Sequence, residues 1–144
     1  MDYDCLTAAS RSQHSGLSRK ITVLSALLML AGCYSGGDVV ISYDKGSPIF
    51  TVTRRDGNQA CVQSINVREG AGEIGSVSSW VLIQNIADIE SGKAACYNVF
   101  KYGQSAKGYE HRFDGKALTP GKSYTVDISG TGGLYADKLF TVPR

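Results

Sequence analysis

Histidine is scarce in this chain, with two among 144 residues, and only His111 lies beyond the first thirty-two. Imidazole is the usual general base and the commonest metal ligand near neutral pH, so that scarcity leaves little room for either role. A structural zinc site takes four nitrogen or sulfur ligands, and His111 with Cys61 and Cys96, the two cysteines left once Cys33 is assigned to the signal described below, falls short of that set. Charge of one sign is missing as well. Across residues 33–144, 12 Lys and Arg stand against 11 Asp and Glu with the signs interspersed, so there is no electrostatic footprint for nucleic acid. A continuous apolar run of ~20 residues, the length that crosses ~30 Å of hydrocarbon, is also lacking. The longest mostly apolar stretch is Ile21 to Leu30.

That short stretch carries the strongest motif in the chain. It follows Arg19-Lys20 and closes on Leu30-Ala31-Gly32-Cys33, giving the positive start, the apolar segment of roughly 7 to 15 residues and the small residues of a secretory signal. The sequence resembles the signal of bacterial lipoproteins, whose lipobox ends in a cysteine just past the cut. The resemblance implies cleavage between Gly32 and Cys33, a diacylglycerol on the Cys33 thiol and further acylation of the new N-terminus. Residues 1–32 then form a signal peptide, and residues 33–38 a lipidated tether. Residues 1–16 contain Asp2, Asp4 and Cys5, where acidic residues do not normally belong in a signal. They read as a start-site artefact if translation opens at Leu17.

The remaining 112 residues suit one domain with a single core. With Cys33 committed to lipid, Cys61 and Cys96 form an even pair in an oxidising compartment, where disulfides form and persist. A bridge between them closes a loop worth roughly 3.5 to 4 kcal/mol in the chain-entropy model. From Val39 onward, short alternating runs punctuated by Gly, Pro, Asn and Asp predict an all-β domain over residues 39–144. The predicted strands are Val39 to Tyr43, Ile49 to Arg54, Ala60 to Glu69, Ser79 to Ile86, Ala94 to Tyr102, Tyr109 to Phe113, Ser123 to Ser129 and Tyr135 to Val142. The acidic stretch after Ile86 reads as loop. Seven to eight strands at this spacing predict a small two-sheet sandwich with one disulfide.

Alternation assigns the inward side chains. Val39, Ile41, Tyr43, Phe50, Val52, Ile65, Val67, Trp80, Leu82, Phe100, Tyr124, Val126, Ile128, Phe140 and Val142 fall on inner faces with Cys61 and Cys96. Gln63 and Asn98 share those faces and break the apolar pattern. The order Cys61, Trp80, Cys96 resembles that of immunoglobulin-like domains at shorter spacing. Leu118-Thr119-Pro120-Gly121-Lys122-Ser123-Tyr124 resembles the Leu-x-Pro-Gly-x-x-Tyr corner of fibronectin type III domains.

Catalytic candidates each miss a requirement. His111 shares a strand face with Tyr109 and Phe113, which favours a packed or edge-strand histidine over a base. A triad with distant partners stays open, but no Gly-x-Ser-x-Gly elbow accompanies it. Gly121-Lys122-Ser123 imitates the end of a P-loop, yet Lys116 occupies the place of its first glycine and a strand follows. Gly130 to Gly133 fits a hairpin connection. Asp88 and Glu90, two apart, fit a solvated loop and identify neither a glycosidase nor a calcium site. No catalytic residue, metal ligand, cofactor or small-molecule substrate is predicted. Tyr97, Tyr102, Tyr109 and Arg112 are residue types enriched at protein interfaces, with tyrosines covering a sheet face as the plainer reading.

The start Cys33-Tyr34-Ser35-Gly36-Gly37-Asp38, the placing of Cys61 and Cys96, the Pro120-Gly121-Lys122-Ser123-Tyr124 turn and the closing Phe140-Thr141-Val142 together resemble small enterobacterial periplasmic lipoproteins labelled type VI secretion immunity proteins. The resemblance implies a non-enzymatic protein that binds and neutralises a toxin delivered by a neighbouring cell. Tyr34 at the second mature position, in place of Asp, implies an outer-membrane anchor facing the periplasm. The alternative is a structural or assembly lipoprotein of an envelope complex.

Overall fold

The structure is a computed structural model that describes residues 36–71 and 76–144. The expected signal peptide, the Gly32–Cys33 cleavage point and the lipidated cysteine lie outside the described residues. Among those described, the chain forms β1 (Gly37–Asp44), β2 (Ser47–Arg54), β3 (Val62–Glu69), β4 (Ser78–Gln84), a short helix α1 (Ile86–Glu90), β5 (Val99–Lys101), β6 (Tyr109–Phe113), β7 (Ser123–Gly130) and β8 (Leu134–Thr141). Two antiparallel sheets result, one ordered β1-β2-β5 and the other β6-β4-β3-β7-β8. This is the all-β, two-sheet sandwich that the turn spacing implies, with the disulfide that the cysteine count implies.

Alternation drives the packing. Phe50 and Val52 of β2, Ile65 and Val67 of β3, Trp80 and Leu82 of β4 and Val126 and Ile128 of β7 are all buried between the sheets. Each large apolar side chain buried this way contributes about 1.5 to 3 kcal/mol. Phe50 is the main bridge across the layers. Its ring stacks on Trp80 at 6.3 Å between centroids and meets Phe140 edge-on at 5.6 Å, both of them on the opposite sheet. The Pro120-Gly121 corner takes the tyrosine-corner form, with the Thr119 N–H donating to the Tyr124 hydroxyl at 3.0 Å.

Five local departures from simple alternation have identifiable causes. A bulge in β3 between Val62 and Ser64 resets the phase, so Val62 and Ile65 both face inward and Gln63 leaves the inner face. The strand expected through Ile86 stops at Gln84, and the acidic stretch read as loop is helical. Asn85 is the reason, since its Oδ1 accepts from the Ala87 N–H at 2.9 Å and caps α1. The long strand expected over 94–102 contracts to β5. Cys96 there is bound to Cys61, and Tyr97 and Asn98 give their carbonyls to different strands, to Val62 N–H at 3.0 Å and Val52 N–H at 2.8 Å.

Tyr43, expected inside, is 38% exposed. It sits at the end of β1 beside the Lys45-Gly46 turn, and its hydroxyl donates to the Thr141 carbonyl at 2.9 Å. Finally, β1 starts at Gly37 and Gly36 bridges Tyr135, so residues 36–38 belong to the sandwich, not to the tether. Gly37 makes this possible, because a Cβ there would lie 2.7 Å from Leu134 Cδ1.

The Cys61–Cys96 disulfide, with Cα atoms 4.5 Å apart, joins the residue before β3 to the approach to β5. It therefore links the two sheets near one end. Replacing both cysteines with Ala is expected to lower unfolding stability by about 3 kcal/mol, read as a lower urea midpoint with a larger m-value, because the unlinked denatured chain exposes more surface.

Candidate binding surface

The residues singled out by sequence do not converge on one centre. Tyr102 and Tyr109 are buried, each 9% exposed, and serve the core. The Tyr102 hydroxyl donates to the Lys116 carbonyl at 2.7 Å, and its ring tilts against Trp80 at 5.3 Å. The Tyr109 hydroxyl donates to the Val62 carbonyl, and its ring meets Phe100 edge-on. Tyr97 and Arg112 are solvent-exposed, with Tyr97 resting on the Tyr109 ring at 6.1 Å. Of the four interface-type residues, two are structural and two face water.

His111 occupies the inner side of β6. Its ring lies 6.5 Å from that of Trp80, and Nε2 is 2.8 Å from Ser105 Oγ. Among the described residues, the buried Nδ1 has no hydrogen-bond partner. A serine–histidine pair draws its nucleophilic power from a third group that orients the ring and stabilises the imidazolium, and none reaches Nδ1 here. Phe113, expected on the same inner face, is exposed because β6 carries a bulge at Arg112, where Leu82 pairs with His111 and Val81 with Phe113.

The glycine cluster forms the β7–β8 connection through a 3-10 turn over Thr131–Gly133. Lys122 forms an ion pair with Glu69 at 2.6 Å. Asp88 lies on α1, and Glu90 ends it. Among the described residues, no three His, Cys, Asp or Glu side chains are grouped to hold a metal ion. Open clefts of about 310 and 260 Å³ lie beside Glu69, Val77 and Lys116 and beside Lys45, Pro48 and Leu118.

The outer face of the three-stranded sheet has a different character. Val40, Thr51 and Val99 stand in register across β1, β2 and β5, with Val40 57% and Val99 52% exposed. The next row holds Ser42, Ile49 and Lys101. Ion pairs edge the face, Asp38 with Arg55 at 3.1 Å and Asp44 with Lys101 at 2.6 Å. The Arg55 guanidinium holds the Asp38 carboxyl below the usual carboxylate range. Sequence reasoning passed over this row, although the signal is present. Val39-Val40 and Val99-Phe100 each place an apolar side chain on the outward phase of an alternating strand.

Several polar side chains with structural work also escaped the sequence reading. Buried Gln84 donates through Nε2 to the Ala95 carbonyl at 2.6 Å. Arg54 reaches from β2 to the Thr131 carbonyl at 2.8 Å while its guanidinium holds Asp56 well below the usual carboxylate range.

The fold defines a disulfide-stapled β-sandwich whose most distinctive exposed feature is an apolar row on a sheet face. Compared with known proteins, the chain matches no family model, no curated protein and no solved structure.

Burial pushes the Tyr102 and Tyr109 hydroxyls up to about 12. An unfolded tyrosine releases its proton near pH 10. Folding is therefore fully supported by these groups below about pH 10 and loses that support as pH rises from about 10 to about 12. Alkaline titration followed by near-UV circular dichroism is expected to show loss of tertiary signal in that window. Replacing both tyrosines with Phe is expected to shift the transition upward in pH.

Proposed function

We propose that this protein is a periplasm-facing lipoprotein, anchored in the outer membrane through Cys33, that works by binding another protein and serves as an immunity protein against a secreted antibacterial toxin. The lipobox Leu30-Ala31-Gly32-Cys33 supports the anchor, and Tyr34 after it supports outer-membrane sorting. Two or more acyl chains make such anchoring stable, where a single chain would be marginal. The observation that carries the binding role is the exposed row of Val40, Thr51 and Val99, within a rim of ion pairs. An apolar centre with a charged rim is the usual anatomy of a protein interface. Inhibition by occlusion asks for a fixed complementary surface and no chemistry.

Area sets a condition on the partner. The eight-residue strands β1 and β2 cover ~26 by ~10 Å and three-residue β5 adds ~10 by ~5 Å, so the face offers ~300 Å², against the ~800 Å² that each side of a standard interface contributes. The remainder of a standard interface would come from surface beyond this face, and the Lys45-Gly46 turn adjoins it.

Capture of partners by tagged, lipidated protein from detergent-solubilised envelope, after exposure to competitor cells, tests the reading. One secreted toxin in near-equal amount is the expected result, with a Val40→Asp, Val99→Asp variant capturing at least about tenfold less. Cys33→Ser is expected to abolish palmitate incorporation while leaving toxin binding intact. Recovery of resident envelope proteins alone would overturn immunity in favour of an assembly role.

A further inference from the structure

We infer, resting on the lipid anchor at Cys33 proposed above, that the end of the sandwich around Gly36 is held against the phospholipid headgroups of the bilayer by a tether too short to let it leave. Gly36 is already part of the fold. Its carbonyl accepts from the Arg55 N–H at 3.1 Å, and it bridges Tyr135 of β8. Only Tyr34 and Ser35 lie between it and Cys33. With its acyl chains in the hydrocarbon, Cys33 sits at the hydrocarbon boundary. From there the chain to Gly36 reaches at most ~10 to 11 Å, and the headgroup layer takes up ~5 to 8 Å of that. The gap left is shorter than an extended arginine side chain. The sandwich therefore touches the surface, with the end that carries Gly36.

The groups at that end suit the contact. Arg55 stands beside Gly36, its Nη1 3.2 Å from the place a Cβ there would take, and its side chain is 68% exposed. Its pair with Asp38 is a surface pair, and such pairs hold weakly. The guanidinium can turn to a lipid phosphate, which its fork fits in bidentate fashion. Tyr135, partly exposed, is of the residue type that settles at membrane–water interfaces. Asp38 and Asp56 offset Arg55 and Arg54, so the tether makes the contact and net charge does not. The end is also rigid. Arg54 holds the Thr131 carbonyl, and the Thr131 N–H binds the Cys61 carbonyl beside the disulfide.

A short tether on a rigid end orients the whole domain. Val40, with Thr51 and Val99 beside it, stands three residues along β1 from Gly37, ~10 Å from the docked end. The Lys45-Gly46 turn closes the far end of the same strand. A protein partner therefore approaches by the side of the three-stranded sheet or by that turn, and the Gly36 end lies outside its footprint.

Amide NMR of the mature lipidated protein in nanodiscs of phosphatidylethanolamine and phosphatidylglycerol, with a gadolinium chelate on some headgroups, tests it. Signals of Arg55 to Asn58 and of Thr131 to Gly133 are expected to lose most of their intensity. Those of Lys45, Gly46 and Ala117, at the far end, are expected to keep theirs. Inserting about twenty Gly and Ser residues between Ser35 and Gly36, a spacer of roughly 25 Å r.m.s. length, is expected to restore most of the lost intensity. No loss, equal loss at both ends, or a loss that the spacer leaves unchanged would overturn the docked end while the anchor stands. Intact mass separates the two readings, since a chain that retains residues before Cys33 or carries no acyl mass overturns the anchor and the docked end together.

Discussion

Residues 96–98 bond to both sheets at once, and the rest of the structure depends on that crossing. Two packed sheets ordinarily adhere through side chains alone. Here the main chain joins them as well. The Tyr97 carbonyl accepts from Val62 of β3, the Asn98 carbonyl accepts from Val52 of β2, and Asn98 Nδ2 donates back to the Val52 carbonyl at 3.2 Å. The Cys61–Cys96 bridge holds the crossing in place. Cys61 in turn receives the Thr131 N–H on its carbonyl at 3.0 Å, so the β7–β8 connection is gathered into the same knot. Glycine at position 130 is a consequence, since a Cβ there would lie 2.2 Å from the Cys61 carbonyl oxygen.

The opposite side of the sandwich is closed by weaker means. β1 and β8 face each other across the layers, joined by the Gly36–Tyr135 bridge, by Lys138 Nζ on the Val39 carbonyl at 2.9 Å and by the Tyr43 hydroxyl on Thr141. That leaves the molecule firm at one end of the sandwich and laced along its β1–β8 side, with β5 and β6 as terminal strands of their sheets. The arrangement offers a flat face on a rigid support. Such a surface is suited to recognition, and it does not collect the convergent polar groups that ligand pockets use to fix a small molecule.

The architecture was legible because period-two alternation and turn residues act locally. Tyr109 to Phe113 was read with its bounds intact, and β2, β7 and β8 within two residues at each end, since nothing non-local competes with their patterns. What could not be read arises where distant parts of the chain override a local preference. Val62 and Ile65 share a face only because a bulge absorbs Gln63, and the run from Ala94 loses its strand character to the disulfide and to carbonyls claimed by two sheets. Asn85 capping α1 was a local signal that the apolar run through Ile86 concealed. The two disulfide cysteines were legible from their count. The apolar row on the outer face was not, because exposed valines acquire meaning only when three strands set them side by side, as with Val40 and Val99.

Amide hydrogen exchange at Val52 and Val62 tests the central role of the crossing most directly. With the disulfide intact, both amides are expected to exchange with the slowest group in the molecule, through global unfolding. On reduction, both are expected to accelerate together, while Val126 in the β3–β7 ladder stays slower. Rapid exchange at Val52 and Val62 in the oxidised protein, with the ladders around them protected, would contradict the account.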